Sequence, residues 1–226
     1  MSKAFFVTGT DTEVGKTAIS CALLLAAKQA GLQTAAVKPV AAGCDNVGQN
    51  EDALALMGCM TAELAYEQVN PVALTEAIAP HIAAGHEGRR LQAERLAGMC
   101  RGVMLGGADF LLVEGAGGWR VPLNPRETLA DVARELQMPV ILVVAMRLGC
   151  INHALLTVEA VRSDGLPLAG WVANQCGPRM ACHEENMDTL RDLLRAPLLG
   201  EVPHLDPWDP LEASKNLNIQ ILNREL

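Results

Sequence analysis

Short apolar runs alternate along the chain with longer stretches whose apolar residues recur every three or four positions. "AFFV" (4–7), "TAAVK" (34–38), "FLLVEG" (110–115), "VILVVA" (140–145), "LAGWVAN" (168–174) and "LLGEVP" (198–203) have the length and flanking turn residues of buried strands. Ile19, Ala22, Leu23 and Ala26 fall at i, i+3, i+4 and i+7 and predict a helix, with Gly31 ending it in the C′ position. Further helices are predicted over 51–60, around Ala93, Leu96, Ala97 and Cys100, over 151–163 with Asp164-Gly165 as the stop, and over 181–195. Segment 61–90 is irregular and reads as a loop with short elements, and the tail after Pro207 gives a weak signal. Strands apolar throughout and separated by helices imply a parallel sheet covered on both faces. The expectation is an α/β fold with a doubly wound parallel sheet, as a single domain over 1–226.

In such sheets ligands bind at the carboxyl ends of the strands. Chemistry-bearing residues collect there: Lys16 and Thr17 after the first strand, Lys38 after the second, Glu114 at the end of the third, Asn174 after another. "GTDTEVGKT" (9–17) sits between a strand and a helix, the context a phosphate-binding loop needs. Its first glycine is displaced, because five residues separate Gly9 from Gly15 and Thr10 holds the usual glycine position. Backbone N–H groups and the helix start would cradle phosphate oxygens, Lys16 would reach the terminal phosphates, and Thr17 would offer a hydroxyl to Mg²⁺. Glu114 ends a buried strand beside Gly115, Ala116, Gly117 and Gly118, where a carboxylate would hold Mg²⁺ and small residues would let a ligand approach. Lys38 reads either as a surface lysine at a strand end or as a ligand cation, and the small residues of "VKPVAAG" favour the second. On local pattern Asp52 reads as a helix-capping carboxylate. The "GCIN" turn (149–152) starts a helix that could bind an anion, but the pattern alone favours a plain capped helix with Asn152 on the surface.

Composition narrows the classes. Half the chain is hydrophobic and 19% is charged, enough to bury a substantial core. A formal charge of −8 argues against non-specific binding to nucleic acid or an anionic membrane. Aromatics at 3% argue against base-stacking platforms too. The seven cysteines are odd in number and form no Cys-x-x-Cys, so neither a disulfide framework nor a zinc knuckle is indicated. The chain opens directly into a strand, and the expectation is a cytoplasmic, reduced protein.

Together "FVTGTDTEVGKT", "VKPVAAG", "NEDALAL", "VNP", "PHIAA", "LLVEGAGGWRVPL", "PVILVVAMRLGCINHALLT", "LAGWVAN" and "PLLGEVP" closely resemble the ATP-dependent dethiobiotin synthase family, in order from residue 5 to about 203. The displaced glycine is itself a trait of that family. The resemblance implies an ATP-dependent cyclo-ligase of biotin synthesis that joins 7,8-diaminononanoate and CO₂ (or bicarbonate) into a ureido ring. It implies Lys16 and Lys38 as the catalytic cations, Glu13, Val14, Gly15, Lys16, Thr17 and Ala18 around the phosphates, and Gly115, Ala116 and Gly117 beside them. Thr17, Asp52 and Glu114 would hold Mg²⁺. Asn174 would read the adenine, with Pro203, His204, Leu205 and Glu212 completing the nucleotide pocket. Lys38 and Ala42 would face the diamine; the family usually carries Ser or Thr at the latter position. Gly149, Cys150, Ile151 and Asn152 would bind the substrate carboxylate from a partner subunit, which implies a homodimer with shared sites.

Two readings compete with this one: a switch ATPase of the partitioning type, and a paralogue acting on a related diamine. The first usually carries an extra lysine early in the loop, where this chain has Thr10, Asp11 and Thr12. Its membrane-binding forms need a basic amphipathic tail, which "SKNLNIQILNREL" does not supply.

Overall fold

A computed structural model describes residues 3–223. In chain order its elements are β1 (Lys3–Gly9), α1 (Lys16–Gln29), β2 (Thr34–Val37), β3 (Ala41–Ala42), α2 (Glu51–Cys59), α3 (Tyr66–Val69), β4 (Ala73–Leu74), α4 (Pro80–His86), α5 (Ala93–Met104) and β5 (Phe110–Glu114). They continue with α6 (Leu129–Leu136), β6 (Val140–Ala145), α7 (Cys150–Ser163), β7 (Leu168–Asn174), α8 (His183–Leu194), β8 (Leu198–Val202), α9 (Pro210–Ser214) and a final 3₁₀ turn, Ile219–Asn223.

Six strands form one sheet in the order β2-β5-β1-β6-β7-β8, every neighbouring pair parallel. The chain moves outward from β1 in one direction, returns through β5, and continues from β6 in the other. All strand carboxyl ends therefore lie on one edge, with the reversal beside β1. Alternation along the strands divides the core. Phe5, Val7, Leu112, Ile141 and Val143 pack with α1 on one face. Phe6, Leu111, Val113 and Val140 pack under α5 and α6, and Leu142, Val144, Trp171 and Ala173 under α7 and α8. The central strands are buried on both faces, which is why β6 is apolar at every position and β5 at all but its last, Glu114.

The helix over Leu129–Leu136 has no counterpart in the sequence reading. Segment 61–90 holds two short helices, and its strand Ala73–Leu74 pairs in parallel with Ala41–Ala42, bringing this excursion back beside the sheet edge. After Pro207 the chain forms α9, which packs on α1.

Candidate active site

The turn after β1 is shaped by close contacts. A side chain on Gly9 would meet Val14 Cγ2 at 2.4 Å, and Val14 is fully buried. The displaced glycine is thus required by the valine that plugs the loop from inside. Gly15 has φ 83°, the left-handed region, and a Cβ there would lie 2.2 Å from the Asn174 amide nitrogen. The loop is pinned from below, since Asn174 Nδ2 donates to the Val14 carbonyl at 2.9 Å. Gly15 then leads into α1, so Lys16 and Thr17 stand on its first turn, where helical N–H groups lack partners.

Lys38 follows β2 and is 3% exposed. Its backbone is fixed by "VNP": the Lys38 N–H donates to the Val69 carbonyl at 2.7 Å, and Asn70 Nδ2 donates to the Lys38 carbonyl at 2.7 Å. Its ammonium donates to Asp52 Oδ2 at 2.8 Å and to Glu114 Oε1 at 2.6 Å. Thr17 Oγ1 donates to the same Glu114 oxygen at 2.7 Å. Four residues, from α1, α2, β5 and the turn after β2, thus meet at the carboxyl edge of the sheet. Asp52 does not cap α2; Asn50 does, accepting from the Asp52 and Ala53 N–H groups, so the Asp52 carboxylate is free to face Lys38.

The charges shift one another. Burial pushes the Lys16 ammonium down from 10.5 to about 8, and the charge of Lys38 adds to that. Burial also works against the charge of Lys38, but Glu114 and Asp52 outweigh it and its pKa is raised. Burial would raise Asp52, yet Lys38 and the hydroxyl of Thr17 hold it below the usual carboxylate range. Glu114 Oε2 is buried and accepts no hydrogen bond among the described residues. This spare oxygen beside the Thr17 hydroxyl and the Asp52 carboxylate is an all-oxygen donor set, the kind Mg²⁺ takes. No cluster of three or more His, Cys, Asp or Glu capable of holding a metal exists among the described residues. A Mg²⁺ ion here would complete its shell with phosphate oxygens and water, as that ion commonly does.

These groups open into a cleft of about 880 Å³. One side is Thr12, Glu13, Gly15, Lys16, Thr17 and Ala18; Lys38, Asn50, Glu51 and Asp52 line it further in; the rest is Ala41, Ala42, Ala77–Pro80, Ala116, Gly117 and Arg120–Pro122. The structure therefore gathers Glu13, Gly15, Lys16, Thr17, Ala18, Lys38, Ala42, Asp52, Ala116 and Gly117 from the sequence-derived set. Val14 and Gly115 lie just behind the lining, Gly115 against the ring of Phe6. Asn174 lies under the phosphate loop rather than in the cleft. Pro203 and His204 are exposed, Leu205 half-buried, and Glu212 is exposed and paired with Lys215, all outside this cleft. Gly149, Ile151 and Asn152 lie on the opposite side of the central strand, after β6, and do not line the cleft of their own chain; Cys150 is buried. Sequence reasoning missed Asn50, Asn70, the 77–80 wall and Arg120. Asn50 had a local signal, being an N-cap residue directly before an apolar-periodic run.

The AAA domain family model matches residues 3–212. The chain is 60% identical over 220 residues to the ATP-dependent dethiobiotin synthetase BioD of Cellvibrio japonicus (strain Ueda107), covering 96% of both. It is 57% identical over 222 residues to the protein of the same name from Pseudomonas aeruginosa (strain UCBPP-PA14), covering 97% of both. Among solved structures it is similar to the septum site-determining protein MinD from Pyrococcus horikoshii OT3, with TM-score 0.58 and 18% identity over 100% of this chain and 90% of that one. A ParA family ATPase from Chlorobium tepidum TLS gives TM-score 0.57 at 13% identity, over 99% and 93%. At such identities the last two show the α/β fold and nothing of the activity.

Proposed function

The chain belongs to the ATP-dependent dethiobiotin synthetase family, and from that premise we propose how its residues carry out the reaction. The activity is ATP-dependent closure of the ureido ring of 7,8-diaminononanoate with CO₂, a ligase step of biotin synthesis. One amine adds to CO₂ and loses a proton, giving a carbamate. A carbamate oxygen attacks the γ-phosphorus and ADP leaves, giving a carbamic–phosphoric anhydride. The second amine attacks the carbonyl carbon, the C–O bond to phosphate breaks, and the ring closes with loss of a proton.

Each step moves negative charge between oxygens, so positioned cations are what the protein must supply. Lys16 sits on the first turn of α1, where the helix start and the loop N–H groups receive the β- and γ-phosphates. Lys38, its charge kept by two carboxylates, faces the carbamate. Thr17, Asp52 and Glu114 would hold Mg²⁺, which would supply charge neutralisation at the phosphates. The observation that carries this reading is the convergence of Thr17, Lys38, Asp52 and Glu114 within hydrogen-bond distance on the edge where the phosphate loop opens. Ala42 lines the diamine end without the family's usual hydroxyl, so that contact falls to water or to a backbone group. Asn174, pinned by its amide nitrogen, keeps its carbonyl oxygen for the exocyclic amine of adenine, with Pro203, His204, Leu205 and Glu212 at the same end.

The "GCIN" helix start, outside the cleft of its own chain, serves the carboxylate site of a second copy. The active form is then a two-fold dimer with composite sites. Among the described residues no helix is long and apolar enough to cross a membrane. The seven cysteines are all unpaired, which suits a reducing compartment such as the cytoplasm. Incubation with ATP, Mg²⁺, bicarbonate and 7,8-diaminononanoate, followed by mass spectrometry, tests the reading. Dethiobiotin and equimolar ADP are expected; ATP hydrolysis without dethiobiotin would favour the switch-ATPase alternative.

A further inference from the structure

Behind Lys38 and Asp52 runs a polar path that the reaction itself does not use. It passes through Tyr66, the chain's only tyrosine, on the single turn of α3. The Tyr66 hydroxyl accepts from the Asn50 N–H at 2.7 Å and donates to Asn70 Oδ1 at 2.9 Å. Asn70 Nδ2 donates to the Lys38 carbonyl at 2.7 Å. On the other side Asn50 Oδ1 accepts from the Asp52 N–H at 3.1 Å, and the Lys38 ammonium donates to the Asp52 carboxylate at 2.8 Å. The path therefore closes into a circuit: Lys38, Asp52, Asn50, Tyr66, Asn70 and back to Lys38. Asn50 also touches the wall of the cleft, its Nδ2 donating to the Ala42 carbonyl at 3.4 Å.

Lys38, Asn50 and Asn70 are all buried, and Tyr66 packs against the core on the α1 face. Burial pushes the Tyr66 hydroxyl above its ordinary pKa, which keeps it a donor as well as an acceptor. In such surroundings a fully satisfied network is strong, and losing one member is costly. Apolar packing could join these segments just as firmly; what a closed circuit adds is a fixed distance. Chain connectivity does not supply it, because the segment from Lys38 to Asp52 passes through an exposed turn at 45–48. Resting on the dethiobiotin synthetase reading, we infer that Tyr66 is a positioning residue: through Asn50 and Asn70 it holds the Lys38 ammonium and the Asp52 carboxylate at the separation that phosphoryl transfer needs.

Tyr66→Phe keeps the aromatic ring and removes only the hydroxyl. Misplacing a reacting group by about 1 Å can cost about 10² in rate, so the loosened circuit should lower kcat about tenfold. KM for ATP should stay within about twofold of wild type, because the phosphate loop lies outside the circuit. Gln68→Ala is the control. Its side chain accepts from the Ala65 N–H at 2.9 Å and starts the same turn, but makes no hydrogen bond to the circuit among the described residues. It should leave kcat within about twofold of wild type. Asn70→Ala should lower kcat as Tyr66→Phe does, and the double variant should lose no more than the worse single one. A further measurement needs no turnover. In urea unfolding, Lys38→Met should lower the midpoint less in the Tyr66→Phe background than in wild type, because the ion pair it breaks is already loosened. Unchanged kcat in Tyr66→Phe, an equal loss in Gln68→Ala, or additive midpoint shifts would overturn the inference. Wild type that forms no dethiobiotin would instead sink the functional reading, and the unfolding cycle would still decide whether Tyr66 and the ion pair act as one unit.

Discussion

Lys16→Met should make the protein more stable while disabling it. The lysine is 7% exposed, and burial lowers its pKa from 10.5 to about 8. At about 1.4 kcal/mol per unit that shift corresponds to about 3 kcal/mol of cost for keeping the charge at neutral pH. Its one hydrogen bond, to the Asp11 carbonyl at 3.3 Å, is long and lies on an exposed residue where water can replace it. Met keeps the apolar stem and drops the charge, so after about 1 kcal/mol for the lost bond the variant should gain about 2 kcal/mol. For a chain of this size that is about 4–8 °C in Tm. The sign with pH is a second check. Below pH 8 folded and unfolded chains both hold the proton and the full cost is present. Between pH 8 and 10.5 the unfolded chain binds more protons than the folded one, so wild type gains stability relative to Lys16→Met and the two converge. Urea unfolding of both proteins at pH 7 and pH 10, without nucleotide, measures this, and ATP affinity is taken in parallel. A variant no more stable than wild type at pH 7, or one that still turns over, would refute the argument that the loop stores an uncompensated charge for phosphate.

Other outcomes follow from the same geometry. Lys38→Ala should cut kcat by about 10²–10³ while ATP binding persists, read by steady-state rates and calorimetry; it also leaves Asp52 and Glu114 unneutralised, so its Tm should fall. Glu114→Gln and Asp52→Asn should raise the Mg²⁺ concentration needed for half-maximal rate, measured by Mg²⁺ titration of turnover; an unchanged requirement would make these carboxylates mere partners of Lys38. Mixing inactive Lys38→Ala chains with inactive chains carrying a bulky residue at Asn152 should restore about a quarter of wild-type activity, because half of randomly formed dimers contain one intact composite site.

The central strands were legible because burial on both faces leaves polar residues only at their ends; 140–145 and 168–174 coincide with β6 and β7. The meeting of Thr17, Lys38 and Glu114 on one sheet edge was legible because charged and hydroxyl residues stand directly after apolar strands. What stayed hidden depends on tertiary contacts. Segment 61–90 has too few apolar residues in period to announce its short elements, and Asn70 acquires its role only by reaching the Lys38 carbonyl. Arg120 is fixed by Asp164, 44 positions further along the chain. The helix over Leu129–Leu136 did have a signal: Leu129, Val132, Ala133 and Leu136 keep helical spacing, and Asp131 accepts from the Thr128 N–H at 2.7 Å. It spans only 8 residues and follows a Gly- and Pro-rich turn, which dilutes the periodicity.

The central claim is that a carbamate oxygen of the bound substrate attacks the γ-phosphate on the edge formed by Lys16, Lys38, Thr17, Asp52 and Glu114. Rapid single-turnover reaction with ATP, Mg²⁺, 7,8-diaminononanoate and ¹³C,¹⁸O-labelled CO₂, quenched before the label exchanges with water, follows both atoms. The account predicts ¹³C in the ureido carbonyl of dethiobiotin and one ¹⁸O in the released phosphate. Labelled dethiobiotin accompanied by phosphate free of ¹⁸O would contradict it.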